Sequence, residues 1–216
     1  MTTNLRPNML AHLLSIGVAG STGSGFKAHT MRVVTSSKKH KWRSDPKLIR
    51  LIEEFARGRI GLDPCASKLE RFHFADVNYS LHNGLDGLVA PWVGFGVAYA
   101  NPEYKRPLST KFVRKAVDEF VAGVVRDRLG RPILTQSDPK LRCGRGDHLF
   151  LLLPARPDTK MFQQELLPFV TAMCFWRGRL KFSGSDPAPF PSLILYFGYE
   201  PKRFRRLFEK HGWVPG

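Results

Sequence analysis

The sequence predicts an α/β protein with a mostly parallel β-sheet that helices cover on both faces. Short apolar runs with the length of buried strands alternate along the chain with segments of helical periodicity, which favours strand–helix–strand units. The strand-like runs, such as residues 149–153, lack the strict alternation of apolar and polar residues expected when one face of the sheet is exposed. With 216 residues, of which 43% are hydrophobic, the chain is long enough for one domain with a single core.

The first predicted helix starts near Pro46, a residue type that suits the first helical position. Ser44 or Asp45 can cap this helix, and Gly58 is expected to end it. Four apolar residues between these limits recur at helical spacing: Leu48, Leu51, Ile52 and Phe55.

The remaining elements follow from the same two patterns. Strands are predicted at residues 59–63, 95–100, 149–153, 171–176 and 192–197, and helices at residues 112–125, 161–167 and 202–210. Residues 126–147 are polar and rich in glycine, proline and charge, which predicts a surface loop. In open sheets of this kind the ligand site lies outside the carboxyl ends of the strands. The loops that begin at Asp63, Asn101 and Pro154 are therefore the candidate site loops.

The charge balance indicates a polyanionic partner. The chain has 34 Lys and Arg residues against 18 Asp and Glu residues, a formal net charge of +16. No apolar run is long enough to predict a spanning helix, so nucleic acid is the expected partner rather than a membrane. We predict no cleavable leader in the first residues, and hence an intracellular, cytoplasmic protein.

The first residues, 1–41, are predicted to form a flexible basic arm. The first 44 residues contain seven Lys or Arg and no acidic residue, and residues 21–26 have the composition of a flexible linker. Such an arm can lie along phosphates, or it can be a solvated tail that only aids solubility. The three cysteines form no C-x-x-C pair and the seven histidines have no metal-ligand spacing, so we expect neither disulfides nor a protein-bound metal.

Two of the candidate loops have residues suited to a polar ligand. Asp63 precedes Pro64-Cys65-Ala66, and the small residues allow close approach of backbone to a cofactor; the alternative is a turn in which Asp63 is only a cap. Asn101-Pro102-Glu103-Tyr104 places an amide oxygen, a backbone carbonyl and an aromatic ring at one strand end. The two oxygens can accept from the amino group of a nucleobase on which the tyrosine stacks; the alternative is an Asn-Pro turn with a surface tyrosine.

Seven sequence blocks in a fixed order resemble the phage-type DNA N6-adenine methyltransferases, the Dam-like family of bacteriophages and prophages. The blocks cover roughly residues 42–198: Trp42-Arg-Ser-Asp-Pro46, Leu62-Asp-Pro-Cys-Ala66, Asp86-Gly-Leu88 with Pro91-Trp92, Asn101-Pro102 with Tyr104, Leu153-Pro-Ala-Arg-Pro-Asp-Thr159, Phe175-Trp-Arg-Gly-Arg-Leu-Lys-Phe182 and Pro187-Ala-Pro-Phe-Pro-Ser192.

The resemblance implies a Rossmann-like methyltransferase domain at residues 42–200, followed by a basic C-terminal helix and tail at 201–216. It implies transfer of a methyl group from S-adenosyl-L-methionine to N6 of a flipped adenine, in phage or prophage DNA in the cytoplasm of a bacterial host, either marking that DNA or protecting it from restriction. Asn101, Pro102 and Tyr104 would be the catalytic residues. The implied cofactor-binding residues are Trp42, Pro46, Asp63, Pro64, Cys65, Ala66 and Asp86, with Asp76 as a second candidate for the ribose hydroxyls.

Basic residues on the site loops are the candidates for contact with double-stranded DNA. They are Lys105, Arg106, Arg156, Arg177, Arg179 and Lys181. The alternatives are a helix cap for the block that contains Arg156, and an edge hairpin with solvated charges for the block that contains Arg177. The basic helix near the C-terminus is interpreted as a solvated face.

One residue departs from the family pattern. The family has Asn-Pro-Pro-Tyr, and this chain has Glu103 in place of the second proline. The change adds a carboxylate near an anionic substrate, which is unfavourable unless Lys105 or Arg106 neutralises it. Three outcomes are open: retained activity, transfer of another group or to another base amine, or a DNA-binding protein without turnover.

Overall fold

The computed structural model of the chain describes residues 44–67, 73–122, 147–181 and 187–216. Within them lie three α-helices, α1 (Pro46–Ala56), α2 (Leu108–Ala122) and α3 (Pro201–Phe208). The strands are β1 (Ile60–Asp63), β2 (Ala75–Asn78), β3 (Val97–Ala100), β4 (His148–Pro154), β5 (Ala172–Trp176), β6 (Ser192–Phe197) and β7 (Gly212–Trp213). A 3₁₀ turn covers Leu81–Asn83 and a π-helical segment covers Met161–Leu166. The predicted basic arm and most of the loop at 126–147 lie outside the described residues.

Helix α1 begins as predicted and ends one residue early. The Asp45 carboxylate accepts a hydrogen bond from the Lys47 N–H at 2.8 Å, so Asp45 is the cap. The prediction that Gly58 ends the helix is wrong, because the left-handed residue is Arg57, with φ of 58°. The N–H groups of Arg57 and Gly58 still donate to the carbonyls of Glu54 and Glu53. The helix therefore ends with the hydrogen bonds that usually accompany a left-handed glycine.

The described strands form one mixed sheet in the order β2-β1-β3-β4-β6-β5-β7. Strands β1, β3 and β4 are parallel, as predicted, and β2, which was not predicted as a strand, is parallel to β1. Strand β6 is antiparallel to both β4 and β5, so β5 runs in the same direction as β4. The antiparallel β7 was not predicted, because two residues are too few for a periodic pattern.

Helices cover both faces of the sheet, which confirms the α/β prediction. Strand β4 alternates between the two layers: Phe150 and Leu152 contact the α1 and α3 side, whereas Leu149, Leu151 and Leu153 contact the α2 side. Helix α3, predicted as part of a C-terminal tail, contributes the fully buried Phe204 and Phe208 to the core. In the described part of the chain, none of the helices is long and apolar enough to cross a membrane.

Candidate active site

The strand order changes direction between β1 and β3. The chain goes from β1 outward to β2 on one side, and from β3 outward to β4 on the other. Such a switch point opens a crevice outside the carboxyl ends of the two adjacent strands, where ligands of open α/β sheets bind. Here those ends are Asp63 and Ala100, so two of the three predicted site loops flank the crevice.

Asp63 shapes the first of these loops, residues 63–66. Its carboxylate, only 4% exposed, accepts from the Cys65 N–H at 2.8 Å, and its backbone carbonyl accepts from the Tyr79 N–H at 2.8 Å. The side chain therefore closes a turn, while the residues at which a helix capped by Asp63 would continue, 68–72, lie outside the described residues. The turn does not exclude ligand binding, because it leaves Cys65 and Ala66 only half-buried.

The segment that contains Asp86 packs directly on this loop. A side chain at Gly87 would place its Cβ 1.9 Å from the Pro64 carbonyl oxygen, so the close approach of the two backbones requires glycine. The buried Trp92 donates its indole N–H to the Gly87 carbonyl at 2.7 Å and holds the segment in place. Asp86, which precedes Gly87, is thereby brought beside the 63–66 loop, and its carboxylate accepts from the Leu88 N–H.

Strand β2 contributes a residue that was not predicted. Asn78 is its last residue and the register partner of Asp63. Its amide nitrogen donates to the Ala75 carbonyl, but its Oδ1 is buried and has no hydrogen-bond partner among the described residues. A buried acceptor without a donor is costly, so this oxygen is suited to a ligand hydroxyl.

Asp76, the second candidate for the ribose hydroxyls, is not at this edge. Its carboxylate forms an ion pair with Arg59 at 2.8 Å. Because Arg59 precedes β1, this pair lies toward the opposite ends of the strands.

The second loop, residues 101–104, is held by side-chain hydrogen bonds. Asn101 donates through Nδ2 to Ser44 Oγ at 3.2 Å and accepts through Oδ1 from the Tyr104 hydroxyl at 2.9 Å. Tyr104 in turn contacts the Phe190 ring edge-on, with ring centroids 5.2 Å apart. Neither Ser44, considered only as a helix cap, nor Phe190 was predicted to contact this loop, although both lie within the family-like blocks.

The Tyr104 hydroxyl stays protonated across the physiological range. Burial raises its pKa well above the ordinary value, and Tyr99 and Cys65 raise it further. A protonated hydroxyl can donate to Asn101, as the geometry requires. The 63–66 and 101–104 loops lie side by side because they follow the adjacent parallel strands β1 and β3, and Cys65 and Tyr104 pack against the same core cluster.

Glu103, which lies between Pro102 and Tyr104 in the sequence, is half-buried. Among the described residues, neither Lys105 nor Arg106 forms an ion pair with it, so these two cations do not supply the neutralisation considered from the sequence.

All six basic residues predicted to contact DNA are exposed at the carboxyl edge of the sheet. They follow β3, β4 and β5, whose carboxyl ends point the same way: Lys105, Arg106, Arg156, Arg177, Arg179 and Lys181. None of them is ion-paired with an acidic residue in the described ranges. In the block that contains Arg156, the Thr159 hydroxyl accepts from the Phe162 N–H, but the first residue of the π-helical segment is preceded by Lys160, which makes no side-chain cap, and Arg156 is exposed.

The resemblance also implied that residues 42–46 close over the cofactor. Trp42 lies outside the described residues, and Pro46 is exposed at the first turn of α1. Of the described residues between them, Ser44 accepts from Asn101 Nδ2, and the second Asp45 carboxylate oxygen accepts from the Lys181 N–H at 2.8 Å.

Comparison of the sequence with models of protein families found no match, and comparison with curated proteins found no significant match either.

Proposed function

We propose that this protein is an S-adenosyl-L-methionine-dependent DNA methyltransferase that acts on N6 of an adenine flipped out of duplex DNA in the cytoplasm of a bacterial host. One observation carries the proposal: the 63–66 and 101–104 loops, predicted separately as the cofactor and base loops, lie side by side at the switch point. The parallel strands around that point support the interpretation of the sheet as Rossmann-like.

The residues at the crevice fit the cofactor. The Asn78 Oδ1, which has no partner among the described residues, is the proposed acceptor for a ribose hydroxyl, and Asp86, next to the Gly87 that packs on the 63–66 loop, is the proposed contact for the adenosine. The 63–66 loop offers a backbone lined by small residues rather than a glycine-rich phosphate cradle, as suits a ligand without phosphates. When bound, the cofactor supplies an electrophilic methyl group.

The 101–104 loop supplies the acceptors for the base. An adenine amino group has two N–H donors, and the Asn101 Oδ1 and the Pro102 carbonyl are the proposed acceptors. Accepting both bonds draws the amino lone pair toward the methyl group and stabilises the positive charge that forms on nitrogen as the methyl is transferred. Direct displacement needs no covalent nucleophile, which agrees with Cys65 as a packed residue beside Tyr104.

Glu103 favours a second candidate of the same class. A half-buried carboxylate next to Asn101 can accept a hydrogen bond from an amino group, and carboxylates pair with the amino group of cytosine in protein–DNA contacts. The alternative activity is therefore methylation of a cytosine amine on the same loop.

The proposal is tested by mass spectrometry of nucleosides from DNA co-expressed with the protein. We expect N6-methyladenine, and none of it in cells that express the Asn101→Ala variant. N4-methylcytosine would favour the second candidate. Unmodified DNA, together with no heat of S-adenosyl-L-methionine binding in titration calorimetry, would overturn both and leave a DNA-binding protein without turnover.

The cofactor is also expected to protect Cys65 from alkylation. At about ten times its dissociation constant, S-adenosyl-L-methionine should slow the labelling of Cys65 by iodoacetamide about tenfold, because it occupies the 63–66 loop. Cys174 is the internal control: it is fully buried, and burial raises the pKa of its thiol to about 12, so it should stay unlabelled in either state. Residue-resolved mass spectrometry checks both sites, and unchanged labelling of Cys65 at saturating cofactor would place the cofactor elsewhere.

A further inference from the structure

The amide group of Asn101 is held at both ends. Its nitrogen donates to Ser44 Oγ at 3.2 Å, and its oxygen accepts from the Tyr104 hydroxyl at 2.9 Å. The two partners come from different parts of the fold. Tyr104 belongs to the same loop as Asn101, whereas Ser44 precedes α1 and is 57 residues away in sequence.

The position of Ser44 is fixed by its neighbour. Asp45 is 8% exposed, and its two carboxylate oxygens accept from two backbone N–H groups, those of Lys47 and Lys181, both at 2.8 Å. One bond caps α1 and the other ties the start of the helix to the loop that follows β5. Ser44 is therefore held in place because the next residue, Asp45, is bonded both to α1 and to the loop that follows β5.

The direction of the Asn101 amide decides whether the loop can bind an amino group. The torsion about the last side-chain bond of asparagine has a broad, roughly twofold preference, so the side chain alone does not choose between its two ends. If the amide turned over, its NH₂ group would face the N–H donors of the base, and donor would meet donor. A hydroxyl can accept or donate, so Ser44 restrains the amide only together with Tyr104: the structure has Nδ2 bonded to Ser44 Oγ and Oδ1 bonded to the Tyr104 hydroxyl, and losing either bond loosens that arrangement.

We propose that Ser44 is a positioning residue for Asn101: its hydroxyl accepts from Nδ2 and keeps Oδ1 directed toward the base amine. The proposal rests on the function proposed above, and it assigns a role in the base pocket to the segment before α1. Ser44 acts through Asn101 and does not itself contact the reacting atoms.

Two variants of equal shape test the hydroxyl. Threonine keeps Oγ and valine replaces it with a methyl group, so any strain from a β-branched residue is common to both. We expect Ser44→Thr to stay within about threefold of the unchanged protein, and Ser44→Val to lower kcat about 10- to 100-fold because a key group is misplaced. The dissociation constants for S-adenosyl-L-methionine and DNA should be unchanged. Equal kcat values for the two variants would overturn the proposal.

A cycle with Asn101→Asp separates orientation from general damage. A carboxylate has two equivalent acceptor oxygens, so its direction no longer matters. In that background Ser44→Val should cost much less than in the Asn101 protein. Equal losses in both backgrounds would assign Ser44 a structural role only.

A measurement that does not depend on methyl transfer tests the contact between Ser44 and Asn101 independently of the proposed function. The side-chain amide signals of Asn101 in a ¹⁵N–¹H spectrum are identified by their loss in Asn101→Asp. We expect Ser44→Val to shift them and to speed their hydrogen exchange, and Ser44→Thr to leave them in place. Unshifted signals in Ser44→Val would overturn the inference. Shifted signals in a protein that modifies no base would support the contact and overturn the proposed function instead.

Discussion

Alanine at position 101 is expected to abolish base methylation while leaving DNA binding largely intact. The substitution removes the side-chain oxygen proposed to accept from the adenine amine, and the loss of one such preorganised group costs about 10²- to 10³-fold in kcat. DNA affinity should change less than about twofold, because we propose that the phosphate contacts are made by the exposed cations that follow β3, β4 and β5.

The measurement is transfer of labelled methyl groups to duplex DNA, with DNA affinity followed in parallel. Gln164→Ala is the matched control, since Gln164 carries an exposed side-chain amide on the π-helical segment Met161–Leu166. It loses the same amide at a site away from the 101–104 loop and should keep its activity. Undiminished methylation by Asn101→Ala would refute the catalytic assignment.

The elements that the sequence predicted well are those whose apolar pattern is continuous. Strand β6 was predicted with both of its bounds, because all six of its residues are buried from both faces. Strand β2 was missed because its sequence, Ala-Asp-Val-Asn, is short and half polar, as an edge strand tolerates. Asn78 was missed for the same reason, because it belongs to β2. Unless β2 is recognised as a strand, nothing in the sequence indicates that Asn78 lies beside Asp63.

The site was predicted at the level of loops and not of contacts. The rule that ligands bind at the carboxyl ends of strands placed Asp63 and Asn101 at one edge from local sequence alone. The hydrogen bond from Asn101 to Ser44 depends on how α1 packs on the sheet, and no spacing in the sequence encodes that. The same limit explains why Asp76 was considered as a ligand-binding residue. The sequence does not indicate that its carboxylate pairs with Arg59.

Removing three cations beyond β5 is expected to weaken DNA binding strongly. In the variant Arg177→Ala, Arg179→Ala and Lys181→Ala, we expect the affinity at 0.1 M salt to fall about a hundredfold, and the slope of log K against log salt to decrease by about 2.7 if each cation contacts one phosphate. The loop backbone should be retained, because Asp45 bonds to the N–H of residue 181 and not to its side chain.

A second triple variant removes the same charge from the other side of the molecule. Arg57 follows α1 and Lys202 and Arg206 lie on α3; all three are exposed, and none is at the carboxyl end of a parallel strand. Other cations of α3 would be unsuitable as controls, because Arg203 pairs with Glu200 and covers the Phe55 ring. Alanine at positions 57, 202 and 206 should leave the salt slope nearly unchanged.

The comparison decides whether the carboxyl edge is the DNA surface or whether net charge alone retains DNA. At 0.1 M salt, charges are screened beyond about 10 Å, so a cation that does not touch a phosphate contributes little. The slope of log K against log salt reports counterion release, and only cations that replace condensed ions at the phosphates contribute to it. The slopes of log K against log salt are measured by titrations at several salt concentrations. If DNA lies along the carboxyl edge, the slopes of the two triple variants must differ by the amount that corresponds to two or more phosphate contacts. Equal slopes would mean that DNA is held without a defined face, and a base could then not be presented to Asn101.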